Sequence, residues 1–225
     1  MIVVTGASKG LGRAICERLI SHGQEVYGLA RSTEGLPFPA MNCDVSSHEQ
    51  VKAASRHIKS LGRPVTGLIN AAGIASMNLA VTTPPQTAQS IVNINLLGTI
   101  FCCQMMAPLM LRQKTGSIIN FSTIAVALGL KGESIYAASK AGVEGFTRAF
   151  AREMADFGVK VNCIAPGPIE TNMIKNISSA QIGKIVSQQV IPRQFTPSDV
   201  CDLVELLLDT RGSSLSGQVL HVGGA

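Results

Sequence analysis

Tyr136 and Lys140 stand four residues apart in Ser134-Ile135-Tyr136-Ala137-Ala138-Ser139-Lys140, a run of small, helix-tolerant residues. On a helix that spacing puts both side chains on one face, where they can touch. A free phenol, with a pKa of about 10, is a poor base near neutrality, but a neighbouring ammonium favours the phenolate and brings it toward the working range. The pair therefore predicts general acid and base chemistry, with Tyr136 giving a proton to an oxygen or taking one from it. Such a pair also arises by chance, so its setting carries the weight. Thirteen residues before Tyr136, Ser122-Thr123 ends an apolar run from Ser117 to Phe121. A hydroxyl at the carboxyl end of a parallel strand faces the ligand crevice and can steady an oxygen on which charge develops.

A second group of residues suits an anion. Thr5-Gly6-Ala7-Ser8-Lys9-Gly10-Leu11-Gly12 follows an N-terminal apolar run and opens an amphipathic segment. Gly6 can turn sharply out of a strand, Gly10 lets backbone approach a pyrophosphate, and Gly12 lets a helix pack close to a sheet. The helix N-terminus adds free N–H donors and the positive dipole end. The spacing is G-x-x-x-G-x-G rather than the commoner G-x-G-x-x-G, and a plain turn is the alternative. Where a second strand would end in an acid for bare ribose hydroxyls, the chain reads Leu29-Ala30-Arg31-Ser32. Arg31, with Lys9 in the loop, favours the extra phosphate of NADP(H) through charge-assisted hydrogen bonds. Two solvated loop cations are the competing reading.

The elements that would position these groups follow from the hydrophobic pattern. Short β-branched runs alternate with longer amphipathic segments throughout, which predicts an α/β, Rossmann-like, doubly wound parallel sheet with helices on both faces. Strands are expected near Ile2–Thr5, Glu25–Ala30, Ala40–Cys43, Val65–Asn70, Ser117–Ser122, Lys160–Ala165 and Gln218–Val222. The link from Arg31 to Ala40 holds Gly35, Pro37 and Pro39, too many breakers for a helix. A polar stretch between Pro166-Gly167-Pro168 and the prolines at 192 and 197 suggests a mobile lid over about 167–197. At 225 residues, with no polar linker between two apolar patterns, residues 1–225 read as one domain.

Composition narrows the function further. With 46% hydrophobic and 15% charged residues, the chain is globular rather than disordered. Its net charge of +5 comes from scattered Lys and Arg, and with no Trp and two Tyr it offers few stacking platforms, which argues against nucleic acid. Six cysteines without a C-x-x-C pair read as reduced and structural, and His22, His48, His57 and His221 lie too far apart in sequence for a metal site. Met1 leads straight into a strand without a signal-peptide n-region, so a cytoplasmic protein is expected. Ile91 to Leu111 is apolar over a membrane-like length but carries Asn93, Asn95, Gln104 and Pro108, which fits a buried helix and no membrane partner.

Taken together and in order, the cofactor loop Thr5 to Gly12, Asp44-Val45, Asn70-Ala71-Ala72-Gly73, Asn95, Thr123, Tyr136, Lys140 and Pro166-Gly167 resemble the short-chain dehydrogenase/reductase family, in particular its one-domain 3-oxoacyl-[acyl-carrier-protein] reductases. The resemblance covers nearly the whole chain. It implies that Asp44 and Val45 hold the adenine, that Asn70 to Gly73 back the adenosine half, and that Ile169 and Thr171 bind the carboxamide. It further implies that Lys140 reaches the nicotinamide ribose, Tyr136 protonates the substrate oxygen, Thr123 steadies it, and Asn95 positions a water that resupplies protons through Lys140.

Three departures stand out. Thr123 replaces the family's usual serine while Ser122 offers a hydroxyl one residue out of phase, the Arg31 to Ala40 link is short, and the chain stops at Ala225, just past its last strand. The family pairs the helices after Asn95 and from Tyr136 to Phe157 between subunits, which implies a homotetramer or homodimer. Asn162 to Met173 most resembles the branch that reduces 3-oxoacyl thioesters with NADPH. Of two basic positions that meet an acyl carrier protein in that branch, Lys114 fits one and Phe157 occupies the other. A ketone, sugar or steroid alcohol substrate, oxidation with NAD, and a nucleotide sensor without turnover stay open.

Overall fold

The computed structural model describes residues 1–170 and 178–225. Seven parallel strands form one sheet: β1 (Ile2–Thr5), β2 (Val26–Ala30), β3 (Ala40–Asn42), β4 (Gly67–Asn70), β5 (Gly116–Phe121), β6 (Val159–Pro166) and β7 (Val219–Val222), in the order β3-β2-β1-β4-β5-β6-β7. Each lies within two residues of its expected place. The order reverses between β1 and β4, and a crevice opens beyond the carboxyl ends of strands at such a switch point. Register keeps those ends level, with Thr5 opposite both Leu29 and Asn70, and Asn70 opposite Asn120.

Strand alternation feeds two cores. Val3, Leu29, Leu68, Ile118 and Val161 face α2 (His48–Ser60), α4 (Gly98–Met106) and α7 (Ser134–Ala155). Ile2, Val4, Ile69, Ile119 and Ile164 face α1 (Gly10–Ser21) and α9 (Pro197–Leu208). Successive side chains on a strand point to opposite faces, so the central strands are buried on both faces and mainly apolar. All six cysteines are buried free thiols.

The apolar stretch belongs to a helical run, Pro85–Leu111, comprising α3 (Pro85–Val92), one π-helical turn (Asn93–Leu97), α4 and α5 (Pro108–Leu111). Cys102, Cys103, Met106 and Met110 join the first core, so its inner face packs on the sheet. The link after β2 contains no helix, as its prolines require, and Phe38 folds back to lie buried over Gly28. Two short or lid-side helices complete the chain order: α6 (Ala125–Leu128) and α8 (Ser179–Val186), the latter opened by a Ser178/Gln181 capping box.

Candidate active site

A cleft of about 880 Å³ runs along the carboxyl ends of the strands. Its phosphate end is made largely of backbone. Gly6 has φ +68°, and a Cβ there would come within 2.9 Å of Ala72 N and Cα. A Cβ on Gly12 would collide with the Gly6 carbonyl, so α1 can start this close to β1 only with glycine. Gly10 also has positive φ, +58°. No side chain caps the first turn of α1 and no acid lies in it, which leaves its N–H donors to an anion. The Thr5 hydroxyl accepts from Ala72 N–H at 3.1 Å, tying this loop to the segment after β4.

Ser8, Lys9, Leu11, Arg31, Asp44, Val45, Ala71, Ala72 and Gly73 line the same cleft. Lys9 and Arg31 are exposed and unpaired among the described residues, while Arg13 is held by Glu17 at 2.7 Å. Sequence reasoning missed Glu34, whose carboxylate shares the Arg31 end. Asp44 accepts from Ser46 N–H and Oγ at 2.9 and 2.7 Å, which fixes the turn after β3. A pyrophosphate with an adenosine on one side fits this donor set: glycine-lined backbone, a helix N-terminus and two free cations.

Asn70 does not reach the cleft. Its Nδ2 donates to Asn120 Oδ1 at 2.8 Å and its Oδ1 is buried without a partner, so it bridges β4 and β5 behind the cleft wall. Asn95 also lies behind the wall. The π-helical turn directs its wholly buried side chain at Ile74, where Oδ1 accepts from the N–H and Nδ2 donates to the carbonyl, both at 2.9 Å. Nδ2 also donates to Ser139 Oγ at 3.1 Å. A Cβ on Gly73 would lie 3.2 Å from Asn95 Oδ1 and 3.6 Å from Lys140 Nζ, so these three converge at one point.

At the far end Thr123, Tyr136 and Lys140 line the cleft together. The inward face of α7, Lys140, Val143, Glu144, Thr147 and Phe150, packs on β5 and β6. Lys140 Nζ donates to the Phe121 carbonyl at 2.8 Å, and burial pulls its pKa down to about 8. Thr123 Oγ1 accepts from Ala125 N–H at 3.2 Å, and the Thr123 hydroxyl acts on the Tyr136 phenol as a small influence in favour of the phenolate. Ser122 is otherwise engaged: its Oγ donates to the buried Glu144 carboxylate at 2.7 Å, whose other oxygen faces Arg148 at 3.3 Å. Ser122 lines the cleft beside Thr123, but its hydroxyl proton is committed to Glu144.

One expectation is corrected. The Tyr136 phenol is pushed above its ordinary range, not below it, first by burial and then by the Glu133 carboxylate, against a smaller opposing effect of the Thr123 hydrogen bond. Removing water disfavours the phenolate, and Lys140, its own proton weakly held, is committed to a carbonyl. The −3 spacing from Tyr136 was the unread signal for Glu133.

Pro166, Gly167 and Ile169 form the cleft's rim after β6, and Thr171 lies outside the described residues. Ile169 pairs with Phe195, and Ile182 and Ile185 of α8 face the cleft. Gln189, 5% exposed, donates to the carbonyls of Ile191 and Arg193 at 3.3 and 2.8 Å, and its Oε1, unpartnered among the described residues, fills the space a side chain on Gly167 would need. Lys114 and Phe157 come together where β5 and β6 begin, at the opposite edge of the sheet from the cleft, so they do not flank this chain's cleft mouth.

The family model described as short chain dehydrogenase matches residues 1–182. The chain belongs to the short-chain dehydrogenase family. This enzyme of the family is 34% identical to the 3-oxoacyl-[acyl-carrier-protein] reductase of Staphylococcus aureus over 235 residues, covering 99% of this chain and 96% of that one. It is 33% identical to the Vibrio harveyi reductase of the same name over 231 residues, covering 99% and 95%. Among solved structures, the ligand-free aldohexose dehydrogenase of Thermoplasma acidophilum superposes with a TM-score of 0.90 at 30% identity, covering 99% of this chain and 92% of that one. ElxO with NADP bound gives 0.90 at 29%, covering 98% and 96%. This dehydrogenase is thus an oxidoreductase of Rossmann-like α/β fold.

Proposed function

We propose that the enzyme reduces a carbonyl to an alcohol with NADPH, and that its substrate is a 3-oxoacyl thioester. The observation that carries the chemistry is the convergence of Thr123, Tyr136 and Lys140 at one end of a cleft whose other end is built for a dinucleotide. The bound nicotinamide supplies the hydride. Thr123, whose oxygen accepts from Ala125 N–H, has its own proton to donate to the substrate oxygen. Tyr136, kept protonated by its surroundings, gives its proton to that oxygen as the carbonyl is reduced. Lys140, with a pKa near 8, is suited to pass a proton on. Asn95 holds the Ile74 backbone and so shapes the wall beside Lys140.

NADPH rather than NADH is supported by Lys9 and Arg31 and by the NADP-bound neighbour. The substrate class rests on the full-length likeness to the two reductases; the carrier protein in their names is the expected bearer of the thioester. A sugar is the second reading, favoured by the aldohexose dehydrogenase neighbour. Ile182 and Ile185 of α8, which line the cleft, are the side chains of a lid that would cover either substrate. The test is NADPH consumption on a short 3-oxoacyl thioester, a diketone, a quinone and a sugar. The thioester is expected to give the highest kcat/KM, and preference for the sugar would overturn the substrate reading. Tyr136→Phe should lose on the order of 10²–10⁴ in turnover while NADPH affinity holds. Retained turnover would remove Tyr136 from its role.

A further inference from the structure

The loop after β2 carries two opposite charges into the same end of the cleft. Arg31, Ser32, Glu34 and Leu36 all line it. Arg31 and Glu34 are both exposed, and neither pairs with the other or with any other described residue. Asp44, the other carboxylate at this end, is engaged by the Ser46 N–H and hydroxyl at 2.9 and 2.7 Å. Glu34 is therefore the acid there with no prior commitment among the described residues.

The loop that carries it is fastened on both sides. Thr33 donates through its N–H and its hydroxyl to Asn42 Oδ1, at 3.0 and 2.8 Å, which ties it to the end of β3. The Leu36 N–H returns to the Thr33 carbonyl at 3.3 Å, closing a turn whose third residue, Gly35, has φ +71°. Beyond the turn Phe38 is buried against Gly28, whose N–H donates to the Pro39 carbonyl at 2.9 Å. Glu34, the second residue of the turn, is thus presented from a fixed backbone three residues after Arg31.

We infer that Glu34 is a cofactor-selecting residue that works against Arg31: its carboxylate accepts from the free ribose hydroxyls of NADH and repels the 2′-phosphate of NADPH. The two ligands differ in kind at that point. A ribose hydroxyl has a proton to donate, and a carboxylate can only accept. A 2′-phosphate brings negative charge and acceptor oxygens, which suit the Arg31 fork and not a second anion. An ion pair between Arg31 and Glu34 would silence both; unpaired, each reads its own nucleotide. The preference for NADPH is thereby held down, and NADH stays usable. This rests on the reading of this end as the adenosine ribose seat, with Arg31 facing the phosphate.

Dissociation constants for NADPH and NADH, followed by the fluorescence of the reduced nicotinamide, test it. Glu34→Gln keeps the size of the side chain and removes its charge. NADH binding should weaken about tenfold for the lost charge-assisted hydrogen bond. NADPH should bind about threefold more tightly with the repulsion gone, a gain that shrinks as salt rises. The preference for NADPH should therefore grow by about thirtyfold. Glu34→Ala should move both constants in the same directions as Glu34→Gln. A preference that stays where it is, whether because neither constant moves or because both move alike, overturns the inference. Failure of the underlying cofactor reading looks different: Arg31→Ala then weakens NADPH and NADH alike, whatever Glu34→Gln does.

Discussion

The two ends of the cleft are built from different materials. The end proposed for phosphate is mostly main chain: positive φ at Gly6 and Gly10, a helix start without a side-chain cap, and the exposed Lys9 and Arg31, unpaired among the described residues. At the catalytic end side chains do the work, each held by another group: Thr123 by Ala125 N–H, Lys140 by the Phe121 carbonyl, Asn95 by Ile74 and Ser139. The first end therefore tolerates changed side chains but not an added Cβ. The second tolerates little change at all, because each substitution leaves a buried partner unsatisfied.

The sharpest probe of that contrast is the adjacent pair of hydroxyls. Thr123→Ala should lower kcat on the order of hundredfold with NADPH affinity unchanged, as expected for a lost donor at a developing charge. Ser122→Ala should keep most turnover but lose about 1–3 kcal/mol in urea unfolding, because buried Glu144 loses its donor. Equal kinetic losses in the two variants would erase the distinction between them. Next in size, Gly12→Ala should destabilise the fold by about 1–3 kcal/mol through overpacking against Gly6 and weaken NADPH binding, read by calorimetry. The smallest effect belongs to Arg31→Ala: about tenfold weaker NADPH binding with NADH unaffected, a difference that shrinks as salt rises. If both nucleotides weaken alike, Arg31 does not read the extra phosphate.

Local periodicity made much of this readable in advance. The strands showed as β-branched runs, the loop after β2 as a cluster of breakers, and the Tyr136–Lys140 pair as one helical turn. What periodicity could not supply was direction in depth. Asn70 and Asn95 sit at the right places along the chain, yet strand pairing turns one toward Asn120 and a π-helical turn aims the other at Ile74. The sign of the phenol's shift was likewise hidden, because it depends on how much water is excluded and on Glu133, not on the Lys140 spacing alone. The place of Lys114 was hidden for a similar reason: a match to a family pattern does not say at which end of the strands a residue lies, and Lys114 stands before β5 begins, away from the cleft.

Gln189 has an evolutionary corollary. Its carboxamide claims the volume beside Gly167 and at the same time ties down the carbonyls of Ile191 and Arg193, so the seat after β6 and the turn beyond α8 form one mechanical unit. A larger residue at position 167 would have to displace the end of the Gln189 side chain and with it the two hydrogen bonds to Ile191 and Arg193, so a change on one side of this rim is felt on the other.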